Sequence, residues 1–106
     1  MAVEIYRLCE IEPLSKDWGL RDQLRRAAVS IASNIAEGYE RNSRAEFRRY
    51  LVIAKGSCGE LKTQLYILKA IEKLPAAEVK KLIKEVIEIS LMIGGLASSI
   101  SQKIDK

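Results

Sequence analysis

Residues 77–100 read AEVKKLIKEVIEISLMIGGLASSI, and apolar side chains recur in this stretch at alternating intervals of three and four residues. Such intervals place all of these side chains on one face of an α-helix. The positions are Val79, Leu82, Val86, Ile89, Ile93, Leu96 and Ile100. The pattern therefore predicts a long helix that begins near Ala76 and continues to the end of the chain.

A second long helix precedes this one. Ser43 stands three residues before Glu46, the spacing of a capping box, in which two side chains bond the free N–H groups of a helix start. The apolar positions that follow are Leu51, Ala54, Cys58, Leu61, Leu65 and Leu68. Pro75 separates the two helices, each of about 29 residues or roughly 43 Å. Because the connection is short, we expect them to pack antiparallel.

The N-terminal half predicts two further helices. One spans about residues 20–39, with Gly38 at its end, where helices commonly stop. Its apolar positions are Leu20, Leu24, Ala27, Ala28, Ile31 and Ile35. A shorter helix spans about residues 2–12 and is closed by Pro13, and residues 15–19 form a linker. We therefore expect an all-α protein, an up-down antiparallel four-helix bundle with a short first helix, in which residues 1–106 form a single domain.

Composition argues against an enzyme. The 106 residues include no His, so the commonest metal ligand and general base is missing. Cys9 and Cys58 are too far apart in the chain to form a redox or metal-binding pair by spacing. We expect no catalytic residues, no metal and no cofactor. The most apolar run, residues 89–100, is too short to cross a bilayer, and charges interrupt the N-terminal apolar stretch. These features predict a cytoplasmic protein without a membrane partner.

Both long helices carry apolar residues beside their main stripes. A wide core face that contacts two neighbouring helices would explain them, as would an interface between subunits. We favour the interface, and with it a cyclic homo-oligomer. The glycines within these helices predict close backbone approach where the helices cross. The flanking apolar residues are Ile53, Ile67, Ile71, Ile83, Ile87 and Met92, and the glycines are Gly56, Gly59, Gly94 and Gly95.

Polar residues lie beside the apolar stripes of the second and third helices. A hydrogen-bonded network between the two helices would pair these groups and fix the helix register. The alternative is a carboxylate pair, Glu37 with Glu60, that performs acid–base chemistry or holds a metal. We favour the structural network, which comprises Gln23, Ser30, Asn34, Glu37, Ser57, Glu60 and Gln64.

The third helix also carries a row of basic residues at intervals of four, seven, seven and seven: Arg44, Arg48, Lys55, Lys62 and Lys69. They fall within a sector of roughly 60°, which Tyr66 shares. The row is either a solvated face or a surface that binds nucleic-acid phosphates without reading the bases. We favour binding to RNA or DNA. The candidate contacts are Arg21, Arg25, Arg26, Arg44, Arg48, Lys55 and Lys62. The alternative is a ring that recruits a protein partner, in which the charge serves solubility alone.

The residues from Gly19 to Tyr39, with Ser33-Asn34-Ile35-Ala36-Glu37-Gly38 at their centre, resemble a bacterial family of four-helix bundles. Its members are encoded in intervening sequences of 23S ribosomal RNA genes. The similarity continues through Ser43, Glu46-Phe47, Ala54, Gly56-Ser57, Glu60-Leu61 and Gln64-Leu65, and covers about residues 18–104.

This resemblance implies a homopentameric ring and no catalytic residues. A branch related by fold, the accessory variability determinant of diversity-generating retroelements, binds nucleic acid and a reverse transcriptase through a basic surface. That relation implies the same partners for this chain. Two features depart from the family pattern: Ala32 stands where proline is usual, and the first helix is shorter.

Overall fold

The computed structural model describes residues 1–71 and 74–104, and for Ile104 it describes the backbone alone. Its helices are α1 (Ala2–Cys9), α2 (Trp18–Glu40), α3 (Arg44–Ile71) and α4 (Ala76–Ile104), with one turn of 3₁₀ helix at Leu14–Lys16. No strand occurs among these residues. The predicted all-α, antiparallel four-helix bundle with a short first helix is confirmed.

The end of α1 and the start of α2 both differ from the predicted positions. Helix α1 ends at Cys9, before the predicted end near residue 12, and Pro13 disfavours helical backbone at the residue that precedes it. Helix α2 begins at Trp18, inside the predicted linker. It starts there because the side chain of Asp17 accepts a hydrogen bond from the Leu20 N–H, 3.2 Å away, and so caps the helix.

In the turn between α2 and α3, the residues predicted to start α3 do so, whereas the glycine predicted to end α2 does not. The N–H of Glu46 donates to Ser43 Oγ at 3.3 Å, which is one of the two hydrogen bonds of a capping box, whereas the Glu46 carboxylate accepts from Arg49. Gly38 does not end α2, because the helix continues to Glu40. Asn42 adopts the left-handed backbone conformation in this turn, with φ 55°. Asparagine tolerates this conformation better than most residues.

Gly38 instead permits close contact between α2 and α3. A Cβ at this position would lie 2.6 Å from Tyr50 Cβ and 3.1 Å from Phe47 Cδ1. Gly94 borders a side chain rather than a backbone, since its Cβ would lie 3.2 Å from Lys55 Nζ. At Gly56, Gly59 and Gly95 a Cβ would meet no atom within 4 Å. The predicted close helix crossing at these three glycines is therefore wrong: they face open space.

Helix α3 is the centre of the structure. Among the described residues, the backbones of α2 and α4 each approach α3 within 8 Å but not each other, and α1 packs against α2. The Cα positions extend 51 × 20 × 17 Å. Every apolar position predicted for α3 is buried: Leu51, Ala54, Cys58, Leu61, Leu65 and Leu68.

Helix α1 packs against the first part of α2. Arg25 of α2 lies over the Tyr6 ring at 4.9 Å. The N-terminal ammonium lowers the pKa of the Glu4 carboxyl, and Lys81 of α4 adds to this effect. Leu96 lies about four turns beyond Lys81 and is 44% exposed, although the repeat predicts it in the core. That prediction is wrong, and Ala97 is buried in the same turn.

Candidate nucleic-acid interface

The basic residues of α3 line its junction with α4. Lys55 lies against Gly94 of α4, as the 3.2 Å separation from a Cβ there indicates. Arg48 Nε donates to Ser101 Oγ, also on α4. Two members of the row that the sequence placed on one sector of α3 therefore contact a second helix. From Arg44 to Lys69 the row extends about 38 Å at 1.5 Å per residue.

Two lysines of α4 extend this surface, and the sequence analysis did not include them. Lys80 and Lys84 line a groove opposite Tyr66 and Lys69 of α3. Their separation of four residues places both on one face of α4, a signal that was readable in the sequence. We call the combined surface the basic face; its members are Arg44, Arg48, Lys55, Lys62, Lys69, Lys80 and Lys84.

Members of the basic face form no ion pairs among the described residues. Ion pairs within the described residues occur at Met1–Glu4, Glu12–Lys16, Arg21–Asp22, Glu37–Arg41 and Glu46–Arg49. None of them includes a member of the basic face. All seven members are exposed. Unpaired cations that share one face produce a positive surface potential, which attracts polyanions.

Arg44 and Lys62 complete the row, and no hydrogen bond or ion pair between described residues involves either side chain. Arg44 is the first residue of α3, and Lys62 lies midway between Lys55 and Lys69. Lys62 also borders a groove toward α2, which Gln23 and Gln64 share. Both cations are exposed.

The three arginine candidates of α2 lie outside the basic face. Arg21 Nη1 donates to the carbonyl oxygen of Ser15 at 3.0 Å, and Arg25 stacks over Tyr6. Both side chains are partly buried and hold the N-terminal segment against α2. Arg26 is exposed on α2. The structure therefore brings four of the seven predicted contacts together on α3 and gives Arg21 and Arg25 contacts inside the molecule.

Three of the predicted polar-network residues are connected by hydrogen bonds, of which one crosses between α2 and α3 and the other lies within α2. Ser30 Oγ and Ser57 Oγ lie 2.8 Å apart, and Asn34 Nδ2 donates to Ser30 Oγ at 2.9 Å. Gln64 is buried but its Oε1 has no hydrogen-bond partner among the described residues. Gln23 and Glu60 are exposed on the rim of the groove that Gln64 borders. The network is thus smaller than predicted, because its outer members point to solvent.

Glu37 belongs to a separate cluster at the α2–α3 turn. Arg41 donates to Glu37 Oε1 at 2.8 Å and to the Tyr50 hydroxyl at 2.9 Å. Arg49 lies over the Tyr50 ring, 4.7 Å from the ring centre. Glu37 is therefore level with Tyr50, ten residues or about 15 Å along α3 from Glu60. The Glu37–Glu60 pair considered for acid–base chemistry does not form.

Most of the flanking apolar residues are exposed. The exposed fractions are 41–47% for Ile53, Ile67 and Ile71, 36% for Ile87 and 71% for Met92, whereas Ile83 is buried. A core wide enough to contact two neighbouring helices therefore accounts for Ile83 alone.

The second half of α4 combines this exposure with an absence of charge. Residues 89–102 contain no Asp, Glu, Lys or Arg. Leu91 and Met92 are 70% and 71% exposed, and Leu96 is 44% exposed. Helices without charge on any side are usually buried. We call residues 89–102 the uncharged segment.

Within the described residues, none of the helices has the length and apolar character that a membrane span requires.

Comparison with known proteins agrees with the fold and the sequence pattern. A crystal structure from Bacteroides thetaiotaomicron VPI-5482, of a protein with unknown function from the S23 ribosomal protein family, is 25% identical. The match covers 91% of this chain and 87% of the other, with a TM-score of 0.80. No curated protein matches. The family model described as 23S rRNA-intervening sequence protein matches residues 1–95. Because that match spans most of the chain, the protein belongs to the 23S rRNA-intervening sequence protein family.

Proposed function

We propose that the protein is a non-enzymatic, oligomeric helical bundle that binds RNA or DNA without sequence specificity through the basic face. One observation carries the proposal: the basic face has seven exposed cations, and no ion pair among the described residues includes any of them. Such an array binds phosphates by releasing their counterions.

The arrangement favours contact with the phosphate backbone over base recognition. The cations are spread along about 38 Å of α3, so they follow an extended polyanion rather than surround one small ligand. Arg48 and Lys55 rest against α4, which holds their side chains beside the junction.

Charge reversal on the basic face tests this function. The test variant is Lys55→Glu/Lys62→Glu. The control, Arg7→Glu/Lys16→Glu, makes the same change in net charge on exposed residues elsewhere. Fluorescence anisotropy with labelled structured RNA and duplex DNA is measured from low to physiological salt. We expect a linear fall of log affinity with log salt for the unmodified protein, and about tenfold or greater weakening for the test variant alone.

Equal weakening in both variants would show that binding follows net charge, and would contradict a role for the basic face. No binding at low salt would overturn the proposed function.

A second candidate function is a protein–protein scaffold without a nucleic-acid role, and the uncharged segment favours it. An exposed apolar helix surface is typical of a protein interface. The uncharged segment borders the basic face, since Lys55 lies against Gly94 and Arg48 donates to Ser101. Its exposed apolar residues Leu91, Met92 and Leu96 are different positions, so the two functions are compatible. We propose that this segment contributes to self-association, for which the family resemblance implies a pentameric ring. A reverse transcriptase as a further partner stays a prediction from that resemblance.

A further inference from the structure

A groove between α3 and α4 combines an exposed aromatic ring with lysines on both walls. Tyr66 and Lys69 line it from α3, and Lys80, Lys84 and Ile87 line it from α4. Ile83 also lines it, and Glu88 marks one end. We call this the Tyr66 groove. Its lysines belong to the basic face, but it also contains an aromatic ring, Tyr66, which phosphate binding does not require.

The ring of Tyr66 differs from the other tyrosine rings in having no stacking partner. Tyr6 lies beneath Arg25, Tyr50 lies between Arg41 and Arg49, and Tyr39 packs edge-on against Phe47. Tyr66 has no such contact among the described residues and is 46% exposed. Its ring is therefore available to a flat ligand.

The cations beside this ring are placed for the backbone of one strand. Lys80 and Lys84 stand one helical turn apart, about 6 Å along α4, and Lys69 faces them from α3. None of the three forms an ion pair with a described carboxylate. An aromatic ring flanked by cations is the arrangement by which proteins hold unpaired bases and their phosphates.

We propose that the Tyr66 groove binds single-stranded nucleic acid, with one unpaired base stacked on Tyr66 and adjacent phosphates on Lys69, Lys80 and Lys84. This inference rests on the proposed function and narrows its ligand. A duplex satisfies the phosphate contacts equally well, but its bases are stacked on one another and cannot cover the ring.

The test compares strands of one sequence in different forms. Labelled 15-nucleotide single-stranded RNA, single-stranded DNA and the corresponding DNA duplex are titrated with the unmodified protein and with Tyr66→Leu. Trp18→Leu is the matched control, because Trp18 is an aromatic residue that is 70% exposed outside the groove. Far-ultraviolet circular dichroism establishes that each variant is folded.

We expect tighter binding of the single strands than of the duplex. Tyr66→Leu should weaken single-strand binding by about 5- to 100-fold, with its salt dependence and its duplex binding unchanged, whereas Trp18→Leu should bind as the unmodified protein does. Lys80→Gln/Lys84→Gln should instead reduce the salt slope for single strands by about 1.4. The two single strands identify which polymer the groove prefers.

Equal binding of duplex and single strands, with no loss in Tyr66→Leu, would overturn this inference and leave the proposed function in place. Absence of binding to every nucleic acid would overturn both. Equal losses in Tyr66→Leu and Trp18→Leu would also contradict the inference, since stacking would then not depend on the groove.

Discussion

The hydroxyl oxygens of Ser30 on α2 and Ser57 on α3 lie 2.8 Å apart, and this hydrogen bond links two helices whose remaining contact is largely apolar. Ser57 is buried, so Ser57→Ala removes a protected hydrogen bond. We expect the free energy of unfolding to fall by about 1 kcal/mol. Chemical denaturation of Ser30→Ala, Ser57→Ala and the double variant measures the coupling between the two hydroxyls. Ser33→Ala, on an exposed position of α2, is the control and should change stability little.

Additive losses in the double variant would contradict this prediction. The two serines would then stabilise their helices independently, and the 2.8 Å hydrogen bond would contribute nothing of its own.

Gly38→Ala should destabilise the protein, because the added Cβ would lie 2.6 Å from Tyr50 Cβ, closer than two carbon atoms can approach. We expect a loss of about 1–3 kcal/mol, the usual cost of overpacking. Gly56→Ala is the matched control. Its Cβ would meet no atom within 4 Å, so the better helix propensity of alanine should stabilise α3 by up to about 1 kcal/mol. Thermal unfolding of the two variants gives the comparison, and equal effects would refute it.

The Glu46–Arg49 ion pair should make stability depend on pH in the acid range. Arg49 Nε donates to Glu46 Oε2 at 2.7 Å, and this hydrogen bond lowers the pKa of the Glu46 carboxyl below its ordinary value of 4.5. The unfolded chain therefore binds this proton more readily than the folded chain, so stability rises with pH. The contribution is complete above pH 4.5 and is lost as pH falls through the folded pKa.

Thermal unfolding between pH 6 and pH 3 tests this dependence. Glu46→Gln and Arg49→Gln should each lose less stability over this interval than the unmodified protein. The difference should be small, because the pair is exposed. A pH dependence identical in all three proteins would show that the pair does not affect folding.

Substitutions in the uncharged segment should alter self-association without altering the fold. Leu91 and Met92 are about 70% exposed, so Leu91→Lys/Met92→Lys places two cations in solvent when the chain is alone. In an interface the same cations would lose their hydration and repel those of neighbouring copies. We expect sedimentation velocity to show an oligomer for the unmodified protein and a smaller species for this variant.

The matched control for this experiment is Val3→Lys/Trp18→Lys, which changes two residues of similar exposure, 62% and 70%, near the N-terminus. It should assemble as the unmodified protein does. A monomer at every concentration of the unmodified protein would contradict self-association altogether.

Local patterns in the sequence predicted the helices, because the formation and the ends of a helix depend on residues that are close together in the chain. The apolar repeat of α3 identified its buried face, and Ser43 with Glu46 identified its start. The missed start of α2 also had a local signal, since Asp17 is a common capping residue. Leu96 is different. It follows the apolar repeat but is 44% exposed, because burial requires another helix to pack on its side of α4, which local spacing does not specify.

The candidate site could be predicted one helix at a time, but not as a surface. The spacing of Lys55 and Lys62 placed both on one face of α3, and that placement holds in the structure. The relation of this face to Lys80 and Lys84 required the packing of α4 against α3, which periodicity does not specify. The prediction that Arg21 and Arg25 belong to this surface was wrong, because it too depended on helix packing. Both side chains contact the N-terminal segment that packs on α2.

The order of helix contacts bears on how quickly the chain folds. Each helix packs on the one next to it in the sequence: α1 on α2, α2 on α3, and α3 on α4. No contact among the described residues requires distant parts of the chain to meet before the intervening helices have formed. Helical proteins that pack in this way generally fold faster than proteins dominated by long-range strand pairing. Because α2 and α4 both pack on α3, the apolar face of α2 gains its partner when α3 forms, and α4 then completes the structure on the opposite side.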